Sequence, residues 1–227
     1  MKLGFILFPN VTQLDFTGPL QLLQRMPETE TFVLAKDKGP LTTDGALTVL
    51  PTHSFDQAPQ LDLICVPGGF GTADAISDSE TLGFVREQGA KAEYVTSVCT
   101  GALILGAAGL LKSKKATTHW AYTDLLALCG ATYTEGRVVR DGNTFTGGGV
   151  TAGIDFALTL ISALHGEDMA QAFQLGFEYN PQPPFNSGHP SVAPADILTA
   201  TRPRYDAQQE VTARAIKAAL SLKQPDQ

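Results

Sequence analysis

The sequence predicts a single α/β domain in which a mostly parallel sheet is sandwiched by helices. Three observations lead to this prediction. Apolar runs such as residues 2–8 and 61–66 lack polar alternation, which is typical of strands buried on both faces. Helix-like stretches alternate with these runs, as crossovers between parallel strands require. The 227 residues are enough to bury one large core, and no linker or internal repeat divides the chain.

The first half of the chain supplies most of the predicted strands. Strands are expected at residues 2–8, 31–35, 46–50, 61–66 and 94–98, and helices at residues 18–26, 79–90 and 101–111. In the first helix, Leu20, Leu23 and Met26 recur near helical spacing, and Pro19 suits a first turn. Ser79 is the expected N-cap of the second helix. The third follows its strand directly and is apolar throughout.

The second half is predicted to be mainly helical. A short strand at 116–119 and a helix at 122–128 precede a hairpin, formed by strands at 138–141 and 144–146 around an Asp-Gly turn. Helices are expected at residues 151–164, 170–177 and 205–222. Residues 180–194 are rich in Pro, Gly, Ser and Asn and are predicted to form a loop. This loop and the last helix are expected to pack on the domain, which extends over residues 1–227.

Composition excludes several classes of protein. The chain is 43% hydrophobic, too apolar for a disordered protein, and its net charge of −7 argues against binding nucleic acid or an anionic membrane surface. Residues 101–111 are too few to span a bilayer, and residues 1–8 do not resemble a signal peptide. Three scattered cysteines form no disulfide framework, which favours a reducing cytoplasm. No histidine pair has metal-ligand spacing, so no metal site is expected.

The strongest candidate for chemistry is Cys99, which follows a strand and precedes an apolar helix. This is the layout of a nucleophile elbow, and the small residues Ser97 and Gly101 allow the sharp turn. A thiol at a helix N-terminus feels the positive end of the helix dipole, which predicts a lowered pKa. The alternative is a buried cysteine that only packs, and that is the interpretation for Cys65 and Cys129.

A glycine-rich turn at residues 67–71 follows another buried strand. The backbone N–H of Gly69 is a candidate to stabilise developing negative charge, although the same sequence would also serve as a plain tight turn. The spacing of its glycines does not fit a dinucleotide-binding fingerprint, and no phosphate-binding loop is present. Three further glycines at 147–149 permit either close approach to the elbow or simple helix–sheet packing.

Two other polar residues have open roles. Asp15 lies between apolar residues after the first strand, where it either stabilises a helix start or faces the elbow in the folded sheet. His119 either orients or deprotonates the thiol, or is a structural histidine. Sequence spacing alone decides neither case.

Together these motifs resemble the ThiJ/PfpI superfamily. The resemblance is carried by VTSVCTG at 95–101, AAGLL at 107–111, ATTHW at 116–120 and the PGG turn at 67–69, and it extends from residue 2 to about residue 186. It implies a flavodoxin-like fold, a homodimer and no cofactor.

Within the superfamily the chain is most similar to the bacterial isocyanide hydratases, which are hydro-lyases. Asp15 stands where a Glu is usual, Ser97 stands where a glycine is commoner, and EYNP at 178–181 leads to PPFN at 183–186. The resemblance implies that water adds to a small isocyanide to give an N-substituted formamide through a covalent thioimidate on Cys99.

The same resemblance implies roles for the surrounding residues. Asp15 would act as general acid and then as general base. Backbone N–H groups near Gly69 and Thr100 would hold the substrate or the developing charge, and Tyr179 and Trp120 would shape the pocket.

Three alternatives remain from the sequence. One is another ThiJ/PfpI enzyme, either glyoxalase- or deglycase-like or an amidase or protease. A second is a non-catalytic sensor domain like that of AraC-type regulators, which need a DNA-binding region that the residues after Glu178 do not resemble. A third is a redox sensor that uses Cys99.

Overall fold

A computed structural model describes residues 1–222 and contains one large sheet flanked by helices. The strands are β1 (Lys2–Ile6), β2 (Glu30–Ala35), β3 (Leu41–Thr42), β4 (Thr48–Val49), β5 (His53–Ser54), β6 (Leu63–Val66), β7 (Tyr94–Val98), β8 (Lys115–Ala116), β9 (Thr132–Tyr133), β10 (Val138–Asp141) and β11 (Thr144–Gly147). The α-helices are α1 (Gln13–Leu23), α2 (Thr72–Ser77), α3 (Ser79–Gly89), α4 (Gly101–Ala107), α5 (Ala152–His165), α6 (Glu167–Gly176), α7 (Ala195–Thr201) and α8 (Pro203–Ser221). Two 3-10 helices span Phe55–Gln57 and Trp120–Cys129.

The seven-stranded sheet has the order β10-β11-β7-β6-β1-β2-β5. Every neighbouring pair is parallel except β10 and β11, which form the predicted hairpin at one edge. The chain builds outward from β1 through β2 to β5 and then returns to place β6 on the other side of β1. The direction of winding therefore reverses between β1 and β6, and loops there leave a crevice at the carboxyl ends of the strands.

The core lies between the sheet and two groups of helices. Helices α1, α5 and α6 pack together, and α2, α3, α4 and α8 form a second group. Strands β1 and β6 are covered on both faces, as predicted, because every residue of β6 and all of β1 except Lys2 are buried. The predicted fold class is therefore correct.

Several predicted boundaries are wrong. Helix α1 begins at Gln13, so Pro19 lies inside it rather than in its first turn. The N-cap of α3 is Asp78 and not Ser79, because the Asp78 carboxylate accepts a hydrogen bond from the Thr81 N–H at 3.2 Å.

Some short elements also differ from the prediction. The strand expected at 46–50 is only Thr48–Val49, and it pairs with β3 outside the main sheet. Helices α2 and α7 were not predicted. The helix expected at 122–128 is the 3-10 helix Trp120–Cys129, and the predicted domain end at residue 227 lies outside the described residues.

Residues 1–222 contain neither a membrane-spanning helix nor a cluster of metal-binding side chains. No helix there is both long and apolar enough to cross a membrane. No three or more His, Cys, Asp or Glu side chains in that range are grouped so that they could hold a metal ion.

Candidate active site

Cys99 occupies a strained turn between β7 and α4. Its φ of 57° lies in the left-handed region, which residues with a side chain seldom adopt. The Cys99 N–H donates to the carbonyl oxygens of Gly147 and Gly148 at 3.0 and 2.9 Å, and its own carbonyl accepts from Thr118 Oγ1 at 2.8 Å. These bonds from two neighbouring segments hold the turn in place. The sharp strand-to-helix turn that the sequence predicts is therefore present at Cys99.

The residue two positions beyond the cysteine must be glycine. A Cβ atom on Gly101 would lie 2.0 Å from the carbonyl oxygen of Val66 and 2.7 Å from that of Pro67. Helix α4 therefore starts in direct contact with the backbone that ends β6. This close approach brings the PGG turn alongside the elbow.

Asp15, on α1, lies at the same edge of the sheet and is fully buried. Its Oδ2 accepts a hydrogen bond from the Gly68 N–H at 3.0 Å. Its Oδ1 has no hydrogen-bond partner of regular geometry among residues 1–222, although the Cys99 thiol is close enough to act on the carboxyl pKa. The structure therefore brings Asp15 and Cys99 together, as the functional interpretation of Asp15 expected.

Burial governs the pKa of Asp15. Loss of solvent raises that pKa to about 7, the Cys99 thiol and the Gly68 N–H act against the rise, and the charge of Asp44 adds to it. A carboxyl with such a pKa exchanges protons readily near neutral pH, as general acid–base catalysis requires.

The predicted low pKa of the Cys99 thiol is wrong for the substrate-free protein. Burial raises this pKa well above its usual value and the charge of Asp15 raises it further, while the Val150 and Thr100 N–H groups lower it. The local effect of the helix start is present but is outweighed by burial and by the neighbouring carboxylate. Near neutral pH the Cys99 thiol therefore keeps its proton, and the Asp15 carboxyl is about half protonated.

The N–H of Gly69 is not free to bind a developing charge, contrary to the prediction. It donates to Thr100 Oγ1 at 3.0 Å, and Thr100 Oγ1 in turn lies 2.7 Å from the hydroxyl of Thr72. The PGG turn is thus tied to the residue after the cysteine. Gly69 has a φ of 143°, and a Cβ there would lie 2.5 Å from the carbonyl oxygen of Asn10, so only glycine fits this turn.

A cavity of about 180 Å³ opens at Cys99. Of the predicted site residues, Gly69, Thr100 and His119 line it along with the cysteine. The lining residues that sequence reasoning did not identify are Thr12, Asp44, Phe70, Tyr122, Val150, Arg204 and Tyr205. Val150 has a strained backbone with a φ of 27°. Its N–H contacts the Cys99 thiol.

Two predicted pocket residues do not line this cavity. The ring of Trp120 packs against that of Tyr205, with centroids 5.4 Å apart, and lines other cavities instead. The hydroxyl of Tyr179 donates to Asp155 Oδ1 at 3.0 Å, away from the cysteine. No local signal in the sequence distinguished these aromatic residues from Tyr205, because the difference depends on how the C-terminal helix docks.

His119 is a neutral side chain in this site. Its Nδ1 accepts a hydrogen bond from the Ala121 N–H at 3.3 Å, so the proton of the neutral imidazole is on Nε2. Burial lowers the pKa of His119 to about 4. It is therefore too weak a base to deprotonate a thiol near neutral pH. Its bond to the Ala121 N–H caps the 3-10 helix Trp120–Cys129, as the structural interpretation expects.

Comparison with known proteins places these features in context. Residues 1–163 match the model of the DJ-1/PfpI family. The chain is 52% identical to an isonitrile hydratase of Pseudomonas putida over 219 residues, which are 95% of this chain and 96% of the relative. It is 29% identical over 188 residues to a transcriptional regulator of Pseudomonas aeruginosa, GbdR, but covers only half of the regulator's length.

A solved structure resembles the whole molecule. The crystal structure of a ThiJ/PfpI family protein from Pseudomonas syringae superposes with a TM-score of 0.92 at 42% sequence identity. The match covers 95% of this chain and 90% of that one. The similarity therefore includes the C-terminal region beyond the family model.

Proposed function

The chain belongs to the DJ-1/PfpI family, and on that premise we propose that it is an isocyanide hydratase, a hydro-lyase that converts an isocyanide and water into an N-substituted formamide. The observation that carries this proposal is the 52% identity to an isonitrile hydratase over nearly the full length of both chains, isonitrile being another word for isocyanide. The pairing of a strained cysteine with a buried carboxyl supports a covalent route.

The first step joins the substrate to the enzyme. The thiol proton of Cys99 moves to the Asp15 carboxylate, and the thiolate attacks the terminal carbon of the isocyanide. Asp15 then gives this proton to the same carbon, so that a carbon–sulfur bond forms and the product is a thioimidate, R–N=CH–S–Cys99. The N–H groups of Val150 and Thr100, which lower the thiol pKa, stabilise the thiolate before attack.

The second step consumes water. The Asp15 carboxylate takes a proton from a water molecule as its oxygen adds to the thioimidate carbon, and this proton passes to the nitrogen. The adduct R–NH–CH(OH)–S–Cys99 then breaks its carbon–sulfur bond, and the hydroxyl proton returns to the departing sulfur. The formamide leaves, and the thiol and carboxylate are restored.

A carboxyl with a pKa of about 7 suits both roles. It must accept a proton from the thiol, release it to carbon and then take another from water, all at one pH. A fully exposed aspartate would be a much weaker base, since its pKa would remain near 3.9. Burial of Asp15 at the sheet edge therefore supplies the basicity that the cycle needs.

The proposal also covers the cellular compartment and the oligomeric state of the enzyme. No disulfide joins any of the three cysteines in residues 1–222, which is consistent with a reducing cytoplasm. A homodimer is supported by large apolar side chains left exposed near the C-terminal region, among them Leu175 and Phe185 at 83% and 79% exposure. Sedimentation of the purified protein would give its mass directly.

A formamide assay tests the proposal. The purified protein is incubated with cyclohexyl isocyanide, and N-cyclohexylformamide is measured by chromatography, with methylglyoxal as a parallel substrate. Formamide production that depends on the protein supports the hydratase. Loss of methylglyoxal without formamide production would instead favour a glyoxalase- or deglycase-like enzyme of the same family.

A further inference from the structure

We propose that Tyr205 determines which isocyanides are accepted, by closing the cavity at Cys99 against bulky N-substituents. This inference rests on the proposed function. The residues assigned to bond making lie within residues 1–163, the part that matches the family model. Tyr205 and its neighbour Arg204 line the same cavity but lie outside that part. One part of the cavity wall is thus supplied by a region of the chain that lies outside the family match.

The Tyr205 ring is held by three other rings. Its centroid lies 5.0 Å from that of His119, 5.4 Å from Trp120 and 6.2 Å from Tyr122. His119 and Tyr122 also line the cavity, whereas Trp120 does not. Aromatic rings at these separations attract one another at their edges and faces, so Tyr205 is part of a packed wall and not a freely rotating surface residue.

The helix that carries Tyr205 is anchored on the domain. Thr212 and Ile216 of α8 are fully buried, and α8 packs against α2 and α4. Gln208 Nε2 donates to the carbonyl oxygen of Phe70 at 2.7 Å, and the Arg204 guanidinium lies over the Phe70 ring at 5.8 Å. The wall therefore cannot yield to a large substrate without breaking contacts on both sides of the cavity.

Cavity size and lining define the substrate class. A volume of about 180 Å³ is small beside the roughly 300–1,000 Å³ of sites that enclose drug-sized ligands. Phe70, His119, Tyr122 and Tyr205 present rings, whereas the charged groups Asp44 and Arg204 have opposite signs. The lining favours an uncharged, apolar substituent no larger than a single ring, such as isopropyl or cyclohexyl, over a caged or fused-ring group.

The test compares size preference rather than total activity. The specificity constant kcat/KM is measured for isopropyl, cyclohexyl and adamantyl isocyanide with the wild type, Tyr205→Ala, Tyr205→Trp and, as the matched control that keeps the ring, Tyr205→Phe. Tyr205→Ala should raise the ratio of kcat/KM for adamantyl isocyanide to kcat/KM for isopropyl isocyanide by about tenfold or more. Tyr205→Trp should instead lower the corresponding ratio of cyclohexyl to isopropyl isocyanide. Tyr205→Phe should keep both ratios within about twofold of the wild type.

Each outcome either supports or overturns the role of Tyr205 in substrate size preference. Folding of every variant is checked by circular dichroism, and if Tyr205→Ala does not fold, the comparison of Tyr205→Trp with Tyr205→Phe stands alone. Unchanged ratios in folded variants that still produce formamide overturn the role of Tyr205 and leave the hydratase intact. If the wild type hydrates none of the three isocyanides, the proposed function fails, and the inference fails with it.

Discussion

The backbone N–H of Gly68 donates a hydrogen bond of 3.0 Å to Asp15 Oδ2. The turn after β6 therefore fixes a carboxyl that belongs to the helix after β1, and the elbow after β7 meets it from the other side. A Cβ on Gly68 would lie 3.0 Å from this oxygen and 2.5 Å from the Thr100 nitrogen, so the three segments are in direct contact. The candidate site is the meeting point of three strand ends.

Replacing Cys99, the proposed nucleophile, should remove turnover. Cys99→Ala is expected to lower formamide production by at least about 10³-fold, because no other group can form the thioimidate. Thermal denaturation should show that the variant remains folded. Cys65→Ala is the control, since Cys65 is buried in the middle of β6 and should leave turnover close to that of the wild type. Substantial hydration by a folded Cys99→Ala variant would exclude the covalent route.

Removing the proton carrier should also be costly. Asp15→Asn keeps the size of the side chain and its ability to accept from Gly68, but it cannot transfer a proton. The expected loss in kcat is about 10²- to 10⁴-fold, the usual contribution of a general acid or base. Initial rates at saturating isocyanide give this value. A loss of less than about threefold would remove Asp15 from the chemistry.

Burial of Asp15 predicts an unusual dependence of stability on pH. The carboxyl titrates at about 7 in the folded protein and near 3.9 in the unfolded chain, so between these values the folded state binds the extra proton. The contribution of Asp15 to stability is therefore complete below about pH 4 and is lost as the pH rises towards 7.

Urea denaturation of the wild type and Asp15→Asn isolates this contribution from other titrating groups. The free energy of unfolding of the wild type relative to the variant should fall by about 2 kcal/mol between about pH 5 and pH 7. A difference that stays constant over this range would mean that Asp15 titrates at an ordinary value when folded.

The neutral state of His119 predicts that it does not shape the pH profile of activity. His119→Asn preserves an acceptor for the Ala121 N–H and has no titrating group. The midpoint of kcat/KM against pH should stay within about 0.3 unit of the wild-type value, because Asp15 and Cys99 set it. A shift of about one unit or more would show that His119 exchanges protons during the reaction.

The contact between α4 and β6 predicts a strong effect of a single methyl group. Gly101→Ala would place its Cβ against two carbonyl oxygens and should lower the free energy of unfolding by about 1–3 kcal/mol or more. Gly83→Ala is a matched control, because nothing lies within 4 Å of its added Cβ. In helix α3 that change should stabilise the protein by up to about 1 kcal/mol. Equal effects in urea denaturation would contradict the steric account.

The parts of the fold that the sequence predicted well are those with a local signal. Tyr94–Val98 matches its prediction at both ends, since this short strand leads directly into the cysteine turn. Pro19 misled the prediction of α1 because proline is usual at a helix start, yet here it lies in the helix interior. The six-residue helix α2 directly follows the glycine turn and is too short to show a helical period.

The candidate site was predictable to the same extent. Cys99 was identified because the strand, the cysteine and the helix are contiguous in sequence. The raised pKa of its thiol was not, because burial and the charge of Asp15 both arise from tertiary packing. Tyr205 was missed for the same reason, since its place in the cavity depends on α8 returning to Trp120–Cys129.

The strand order also determines when Asp15 and Cys99 come together during folding. Asp15 follows β1 and Cys99 follows β7, and β6 lies between these strands in the sheet. As the chain is synthesised, the carboxyl emerges long before the thiol, and the two cannot meet until β6 has paired on both of its sides. In a nascent or partly folded chain Cys99 therefore lacks the neighbouring carboxyl, and the proposed reactive pair is assembled only in a molecule whose sheet is complete.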